Sequence, residues 1–592
     1  MTLIILFCGF CLTSAIAQEK IPPPVRTEPP TTVEEQLEDL TEANEDAVPD
    51  DDSFLQDMMY FLKEPINLNY ADEGLLQQLK LLSPIQIANL LLYRKAFGNF
   101  LHHYEIQAVP YWDIQTIQKI LPYITVSEKA DVVKSISSRL KGGDQTLLVR
   151  GTQVLEKSKG NLIDSNTAKN FYPGSPQRVL VRYRYKYKNS LQYGVTAEKD
   201  AGEQFFRGAQ KDGFDFYSAH FFVKDIGMIK SIALGDFSVN LGQGLTSWQS
   251  LSFNKGAEIL NIKRQSETIR PYNSAGEVEF HRGAAITLGK KNWEATALIS
   301  YRKLDASFKS DTLEFEEYVS SLQISGLHRT ASEVAAKNKQ GQFTVGGNIK
   351  YNTDRFHIGV NAINYHFELP IKKQDVAYNQ FALSGKQLRN YSVDYSYTFK
   401  NMHLFGEVAM DNNHYKAIIN GLAISASSKV DMSFLHRKIS KGYQSLYSSA
   451  FTENTRPNNE SGFFTGLAIT PTDYIKINAY ADLFKFPWIK YRTDAPTSGA
   501  DYMIQLTYKP NRQVEIYSRY RSKNKPVNFN PENAPLNPVV AKARQGFRTQ
   551  FSYKLNPTFT LRSRVELSWY DKKGKNLRMD FSFIQMSFTS TF

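Results

Sequence analysis

Along most of this chain, apolar and polar residues alternate one by one. Val181, Tyr183, Tyr185 and Tyr187 interleave with Arg182, Arg184, Lys186 and Lys188. Successive side chains of a strand point to opposite faces, so this stretch predicts a strand with one ring-rich wall and one cationic wall. The rhythm recurs at Tyr391, Val393, Tyr395, Tyr397 and Phe399 against Ser392, Asp394, Ser396 and Thr398. Lys400-Asn401 and the run MHLFGEVAM come next, which predicts a hairpin with a short turn. Tyr502, Ile504, Leu506 and Tyr508 alternate with Asp501, Met503, Gln505 and Thr507 before the turn KPNR and the run VEIYSRYR. Phe559, Leu561, Val565, Leu567 and Trp569 alternate with Thr560, Arg562, Arg564, Glu566 and Ser568. Roughly 20–22 such segments lie beyond residue 145, many of ~9–12 residues, the length a tilted membrane strand needs.

Residues 54–125 keep a different period. Leu75, Leu76 and Leu79, then Ile87, Leu90 and Leu91, then Ile114, Ile117, Ile120 and Leu121 recur at helical spacing. Ser83 before Pro84 is an N-cap ahead of a proline at the first helical position, Asp113 can cap the last helix, and Gly98 is a stop. The segment predicts a small domain of about four to five short helices. Residues 126–145, ending in Gly142-Gly143, connect it to the alternating region.

The chain begins with an apolar run, Leu3 to Leu12, leading to Ala15-Ile16-Ala17. That pattern predicts a signal peptide over 1–17, cut before Gln18; the run is short for a membrane anchor. Residues 18–53 are rich in proline and acid and predict an extended or disordered linker. The only two cysteines, Cys8 and Cys11, lie in the signal segment. The mature chain would then have no disulfide, thiolate metal site or Cys nucleophile. Later in the sequence, no run approaches the ~20 apolar residues of a spanning helix.

An exported chain without such helices is soluble or a membrane β-barrel. A soluble sandwich also alternates, but its strands average ~5–6 residues. Here the apolar face is rich in Tyr, Phe and Trp, and 13% of the whole chain is aromatic. Rings at lipid interfaces and charges facing a wet lumen account for both walls. A soluble propeller or solenoid is the alternative, and the chain has no repeat of fixed period to support it. The expected fold is mainly β: a transmembrane antiparallel barrel of ~20–24 strands over 146–592, preceded by the small all-α domain. The last strand, with Ile584, Met586, Phe588 and terminal Phe592, resembles the aromatic C-terminal signal of outer-membrane proteins.

Charge is unevenly placed. The linker is net −10 and the helical segment net −1, so the rest carries +23 against a whole-chain +12. Arg182, Arg184, Lys186 and Lys188, with Arg519, Arg521, Arg562 and Arg564 on other strands, are the candidate lumen cations. They would bias a water-filled pore toward anions. Pairing with lumen acids, or binding lipopolysaccharide at the rim, is the equal alternative.

The stretch NLNYADEGLLQQLKLLSPIQIANLLLYRKAFGNFLHHYEIQAVPYWDIQTIQKILPYI, roughly residues 66–124, resembles the helix-hairpin-helix family in tandem copies. Its hairpins fall at Leu81, Leu82, Ser83 and Pro84, and at Val109, Pro110, Tyr111 and Asp113. The resemblance implies binding of duplex DNA through glycine-bearing hairpins whose backbone N–H groups reach a phosphate. This chain has Leu81 and Ser83, then Tyr111 and Asp113, at the glycine positions, and its domain lacks the net positive charge that drives DNA affinity. A packing or protein-docking role in the periplasm is therefore favoured. The whole layout resembles outer-membrane barrels carrying an N-terminal helix-hairpin-helix domain, through GDFSVNLGQGLTSW (235–248), IRPYNSAGEVEFHRGAA (269–285) and SGLHRTASEVAAKNKQ (325–340).

No enzyme signature emerges. Gly242-Gln243-Gly244 lacks the setting of a nucleotide loop and predicts a bulge or bend. His328-Arg329-Thr330 with Glu333 could support acid–base chemistry, but a polar cluster is the favoured reading. The ten histidines show no HxxxH spacing, and His102-His103 cannot share a helix face. No cofactor is expected. The expected function is a non-enzymatic barrel of a Gram-negative outer membrane: a pore, transporter or assembly component with a cationic lumen. Lipid or lipopolysaccharide would surround it, the helical domain would plug it or dock a periplasmic protein, and DNA uptake or a barrel enzyme are the alternatives.

Overall fold

Regular strand pairing begins at Asp144, close to the expected boundary at residue 146. The computed structural model describes residues 53–127, 135–163, 170–310, 317–529, 538–556, 559–571 and 577–590. The expected signal peptide, all but the last residue of the linker, and Phe592 lie outside them.

The alternating region forms one 24-stranded sheet. Four short members (Ser247–Trp248, Ile269–Pro271, Ala306–Ser310 and Glu317–Leu322) are side pairings. The other twenty keep chain order and pair antiparallel, Ile229–Leu241 meeting His281–Lys290 and Trp293–Leu304 meeting Gln340–Asn352 where the side strands are skipped. The registers run in chain order from Asp144–Thr152 with Arg178–Tyr187 to Phe559–Asp571 with Leu577–Ser590.

The two ends of the barrel differ. At one end strands join through tight turns such as Lys188–Ser190, Gly227–Met228, Lys400–Asn401 and Asp473–Tyr474. At the other, longer connections cover 200–215, 242–280, 323–339 and 440–459, with Ala306–Ser310 and Glu317–Leu322 beside the third.

The polarity of the sheet is inverted relative to a soluble protein. In strand Phe356–Ile371, Val360 is 57% exposed while its neighbour Asn361 is 1% exposed. In Gln340–Asn352, Ile349 is 56% exposed and Asn348 only 6%. Tyr391, Val393 and Tyr397 are exposed, whereas Ser392, Asp394, Ser396 and Thr398 are buried. Water penalises such a surface at ~25 cal/mol per Å² of apolar area; hydrocarbon does not, and the wall is that of a membrane barrel.

One exception corrects the expectation for the opening strand. Tyr185 and Tyr187 share the outward phase of Tyr183, yet both are buried. The connector covers them: the Tyr185 hydroxyl donates to the Arg139 carbonyl at 2.6 Å, and Gly143 N–H donates to that hydroxyl at 2.7 Å. A Cβ at Gly143 would come within 2.6 Å of the Tyr185 ring, so only glycine permits this approach.

The N-terminal segment folds as helices α1 (Ser53–Lys63), α2 (Glu73–Gln78), α3 (Pro84–Phe97) and α4 (Ile114–Ile120), with a 3₁₀ turn at His103–Ala108. The expected caps are present. Ser83 and Gln86 form a capping box at α3, Asp113 accepts from Thr116 N–H at α4, and Gly98 ends α3 at φ +89°. The ends of the domain are joined by a two-residue parallel bridge, Ile66–Asn67 with Ile124–Thr125. Leu68, Leu76, Leu79, Leu90, Ile106, Ile120 and Tyr123 fill its core.

Candidate functional site

The helical domain sits in the short-turn mouth of the barrel. Lys63 pairs with Asp144 at 2.5 Å, Lys95 with Asp354 in the turn 353–355, and Gln115 donates to the Asp473 carbonyl at 3.1 Å. These rim contacts are exposed, and solvent screens such pairs.

The stronger attachment lies inside. Asp57 of α1, itself buried, is 3.2 Å from Lys186 Nζ, 3.6 Å from an Arg184 nitrogen and 3.1 Å from Arg270. Lys186 Nζ also lies 4.2 Å from the centre of the Tyr60 ring. Burial opposes the charge of Asp57, yet Lys186, Arg270 and Arg184 together hold its carboxyl below the usual range. Removing one partner of such a buried set costs ~3–5 kcal/mol, because the others stay charged and dry. Asp57 therefore outweighs the rim pairs.

Between the domain and the long-loop end, two loops fold inward. The first leaves the wall at Gly242, φ +55°, and Gly244, φ +81°, the bend expected there. Gln243 and Leu245 donate their N–H groups to the buried carboxylate of Glu407 on the opposite wall, at 2.7 and 3.0 Å. The loop then descends to the helical domain, where Phe253 joins that domain's core. Gln78 donates to Glu267 at 3.1 Å, and Lys80 donates to the Gln265 carbonyl. Burial, reinforced by Arg270 and Arg264, pulls the Lys80 ammonium down to about 7.

The second loop, 440–459, crosses the lumen beside the first. Arg264 ties them, donating to the Ser449 carbonyl at 2.7 Å and to Asn254 at 2.8 Å. Leu245, Ile259 and Ile262 of one loop and Tyr443, Ala450 and Phe451 of the other pack on wall residues such as Phe405, Leu435 and Phe464. The lumen thus has an apolar core of its own. Around it, Arg437 pairs with Glu460 at 2.5 Å and with Asp482 at 2.7 Å, all fully buried. Lys255 reaches Glu453 and Asp482, each at 2.6 Å.

The expected lumen cations therefore stand in several settings. Arg182, Arg184 and Lys186 do face inward and are buried, Arg182 donating to Thr196 at 3.3 Å. Arg519 donates to Gln505 at 2.7 Å, Arg521 pairs with Asp501 at 2.8 Å, and Arg564 donates to Gln550 at 2.7 Å. Arg562 shares the phase of Arg564 on strand Phe559–Asp571. Lys188 corrects the reading: it lies beyond its strand, exposed in a turn at φ +47°. The lumen is a mesh of compensated charge rather than a bare cationic tube.

The hairpin residues also divide. Leu82, Ser83 and Pro84 are buried and Leu81 half-buried. This first hairpin turns at Lys80, φ +57°, against the inward loop, so its backbone does not face solvent. In the second, Val109 is buried, Pro110 exposed, and Tyr111 turns at φ +64° before Asp113. Asp113 spends both carboxylate oxygens on Thr116. Neither hairpin offers a phosphate a free row of N–H groups.

Glu333 does not act with His328. It caps its own helix, Ala331–Ala336, accepting from Arg329 and Thr330 N–H, while the His328 ring faces two aspartates. Asp57 escaped the sequence reading, although a lone acid among the apolar residues of SFLQDMMYFLK was a signal for it.

No protein-family model and no curated protein matches the chain. Among solved structures, OprD of Pseudomonas aeruginosa aligns at 11% identity over 66% of this chain and 88% of its own, with a TM-score of 0.31. OccAB4 of Acinetobacter baumannii aligns at 10% identity over 68% and 88%, with a TM-score of 0.27. Pseudomonas aeruginosa OccK2, solved with glucuronate, gives 9%, 68%, 88% and 0.29. At these values the likeness carries no functional argument; the chain's own geometry has to supply one.

Proposed function

We propose that this chain is a non-enzymatic outer-membrane channel, held shut by its helical domain together with the inward loops 242–280 and 440–459, and opened when that domain withdraws and draws the first loop with it through Phe253. The observation that carries the reading is Asp57, the helical-domain carboxylate that neutralises Arg184, Lys186 and Arg270 inside the mouth. Outer-membrane barrels keep short turns on the periplasmic side and long loops outside, so a domain at the short-turn mouth belongs to the periplasm. Withdrawal strips the carboxylate from the wall cations, and the opened passage then favours anions. We read the domain as a tandem helix-hairpin-helix unit turned from DNA to docking. Its exposed Phe97, Leu101 and Tyr104 are the surface we assign to a periplasmic protein, and lipid or lipopolysaccharide to the outer wall.

Planar-bilayer recording tests this. The mature chain lacks cysteine on the expected cleavage, so Lys95→Cys with Asp354→Cys and a thiol cross-linker fixes the domain in place. Cross-linked protein should be silent, whereas Asp57→Ala should open with anion preference. Equal conductance in both, or cation preference in Asp57→Ala, would sink the reading.

A further inference from the structure

At the long-loop end of the barrel, away from the helical domain, three loops and a strand junction bring four carboxylates to one imidazole. Glu203 and Asp215 come from the loop 200–215, Glu277 from 242–280, His328 from 323–339, and Asp305 from the junction of Trp293–Leu304 with Ala306–Ser310. The ligand atoms of Glu203, Asp215 and His328 lie within 4.8 Å of one another, and all three residues are buried. Two of the three sequence stretches singled out above, 269–285 and 325–340, supply Glu277 and His328.

The two ring nitrogens of His328 have different surroundings. Nδ1 faces Asp215 Oδ2 at 2.5 Å, and Glu203, whose ligand oxygen lies within 4.8 Å of those of Asp215 and His328, completes the group. Nε2 faces Asp305 Oδ2 at 2.9 Å. Asp305 is itself fixed, its Oδ1 accepting from Asn338 N–H at 2.7 Å. A carboxylate on the far nitrogen is the arrangement that orients a metal-binding imidazole and selects its tautomer.

The carboxylates on the Nδ1 side are likewise positioned from behind. Lys337 Nζ donates to Asp215 Oδ1 at 2.7 Å, leaving Oδ2 directed at the ring. Glu203 accepts from Asp200 N–H and His328 N–H, both at 2.8 Å. Gly326, at φ +69°, lets its loop press on Glu277, where a Cβ would come within 2.9 Å of that side chain. Four carboxyl groups stand around one imidazole, with Lys337 on Asp215 and Lys199 near Glu203.

We propose that Glu203, Asp215 and His328 Nδ1 form a divalent transition-metal site, with Asp305 and Lys337 as positioning residues. One nitrogen with carboxylate oxygens suits Zn²⁺ better than Ca²⁺, which takes six to eight oxygens. Binding replaces the proton shared between Nδ1 and Asp215, and that proton leaves to solvent. The site would clamp three long loops over the barrel mouth.

The test uses untagged full-length protein in detergent, stripped with a chelator and titrated with ZnCl₂. Calorimetry and elemental analysis should give one Zn²⁺ per chain. X-ray absorption should show a single imidazole with oxygens at about 2.0–2.2 Å. His328→Ala should weaken binding more than tenfold, and Asp305→Asn by about 10–100-fold. Heat-modifiable gel mobility checks folding; if His328→Ala fails it, the near-isosteric Glu203→Gln takes its place and should weaken binding equally. Oxygen-only coordination, absence of stoichiometric Zn²⁺, or unchanged affinity in the folded variant would overturn the site.

Discussion

Asp57 and Lys186 lie 129 residues apart in sequence and 3.2 Å apart in space, one on a helix of the plug and the other on the barrel wall. Replacing Asp57 with Ala should loosen the plug by about 3–5 kcal/mol, since Lys186, Arg184 and Arg270 would remain buried without it. The barrel should be unaffected. Hydrogen exchange should rise in 53–127 while gel mobility of unheated protein stays that of the folded barrel. Equal loss of protection in both parts would contradict the separation of roles.

Acid should do the same thing reversibly. The Asp57 carboxyl is held below its usual range, so its contribution is fully present above the unfolded value near 3.9. It is lost as pH falls through the lower folded value. Proteolysis with pepsin across this window should release the helical segment before the barrel is cut.

Lys80 acts with the same sign in a higher pH window. Its folded value lies at about 7, far below the unfolded value near 10.4, so the docked state binds fewer protons in between. Docking should tighten as pH rises from about 7 toward 10 and gain nothing from this group below 7. Lys80→Met should abolish that slope, as read by hydrogen exchange of α2 and α3.

The wall makes an independent prediction. Val360→Arg places a cation on the outward face, at a cost of about 2–4 kcal/mol if the position lies near the bilayer midplane. Urea titration of the protein folded into vesicles measures it. A neutral outcome would mean that this face meets water.

Arg437→Met tests the inner mesh. Glu460 and Asp482 would lose their common guanidinium, and the loss should approach about 3–5 kcal/mol. The temperature at which gel mobility shifts should fall accordingly.

What the sequence made legible is whatever repeats locally. The alternation of Tyr391 to Phe399 gave both the strand and its outward face, and Ser83-Pro84 and Asp113 gave the helix starts, because two- and four-residue periods come from backbone geometry. Partners at long range have no such period. Arg270 meets Asp57 across 213 residues, and Arg437 meets Asp482 two strands away over Gly462, where a Cβ would come within 2.6 Å of the guanidinium. The cationic wall was therefore visible while its neutralisation was not. Tyr185 and Tyr187 went astray for a related reason: the pattern marks the outward side, and only the chain's path shows that a connector lies over it.

The bridge between Ile66–Asn67 and Ile124–Thr125 has a mechanical consequence. Its strands run parallel, and Asn67 and Asn69 both donate to the Ser127 carbonyl beside it. Tension applied at residue 53 against the barrel anchor loads these bonds side by side in shear, not one after another as in a zipper. A pull at Ser53 thus lifts the stopper in one piece, like a cork drawn by a string knotted through its base.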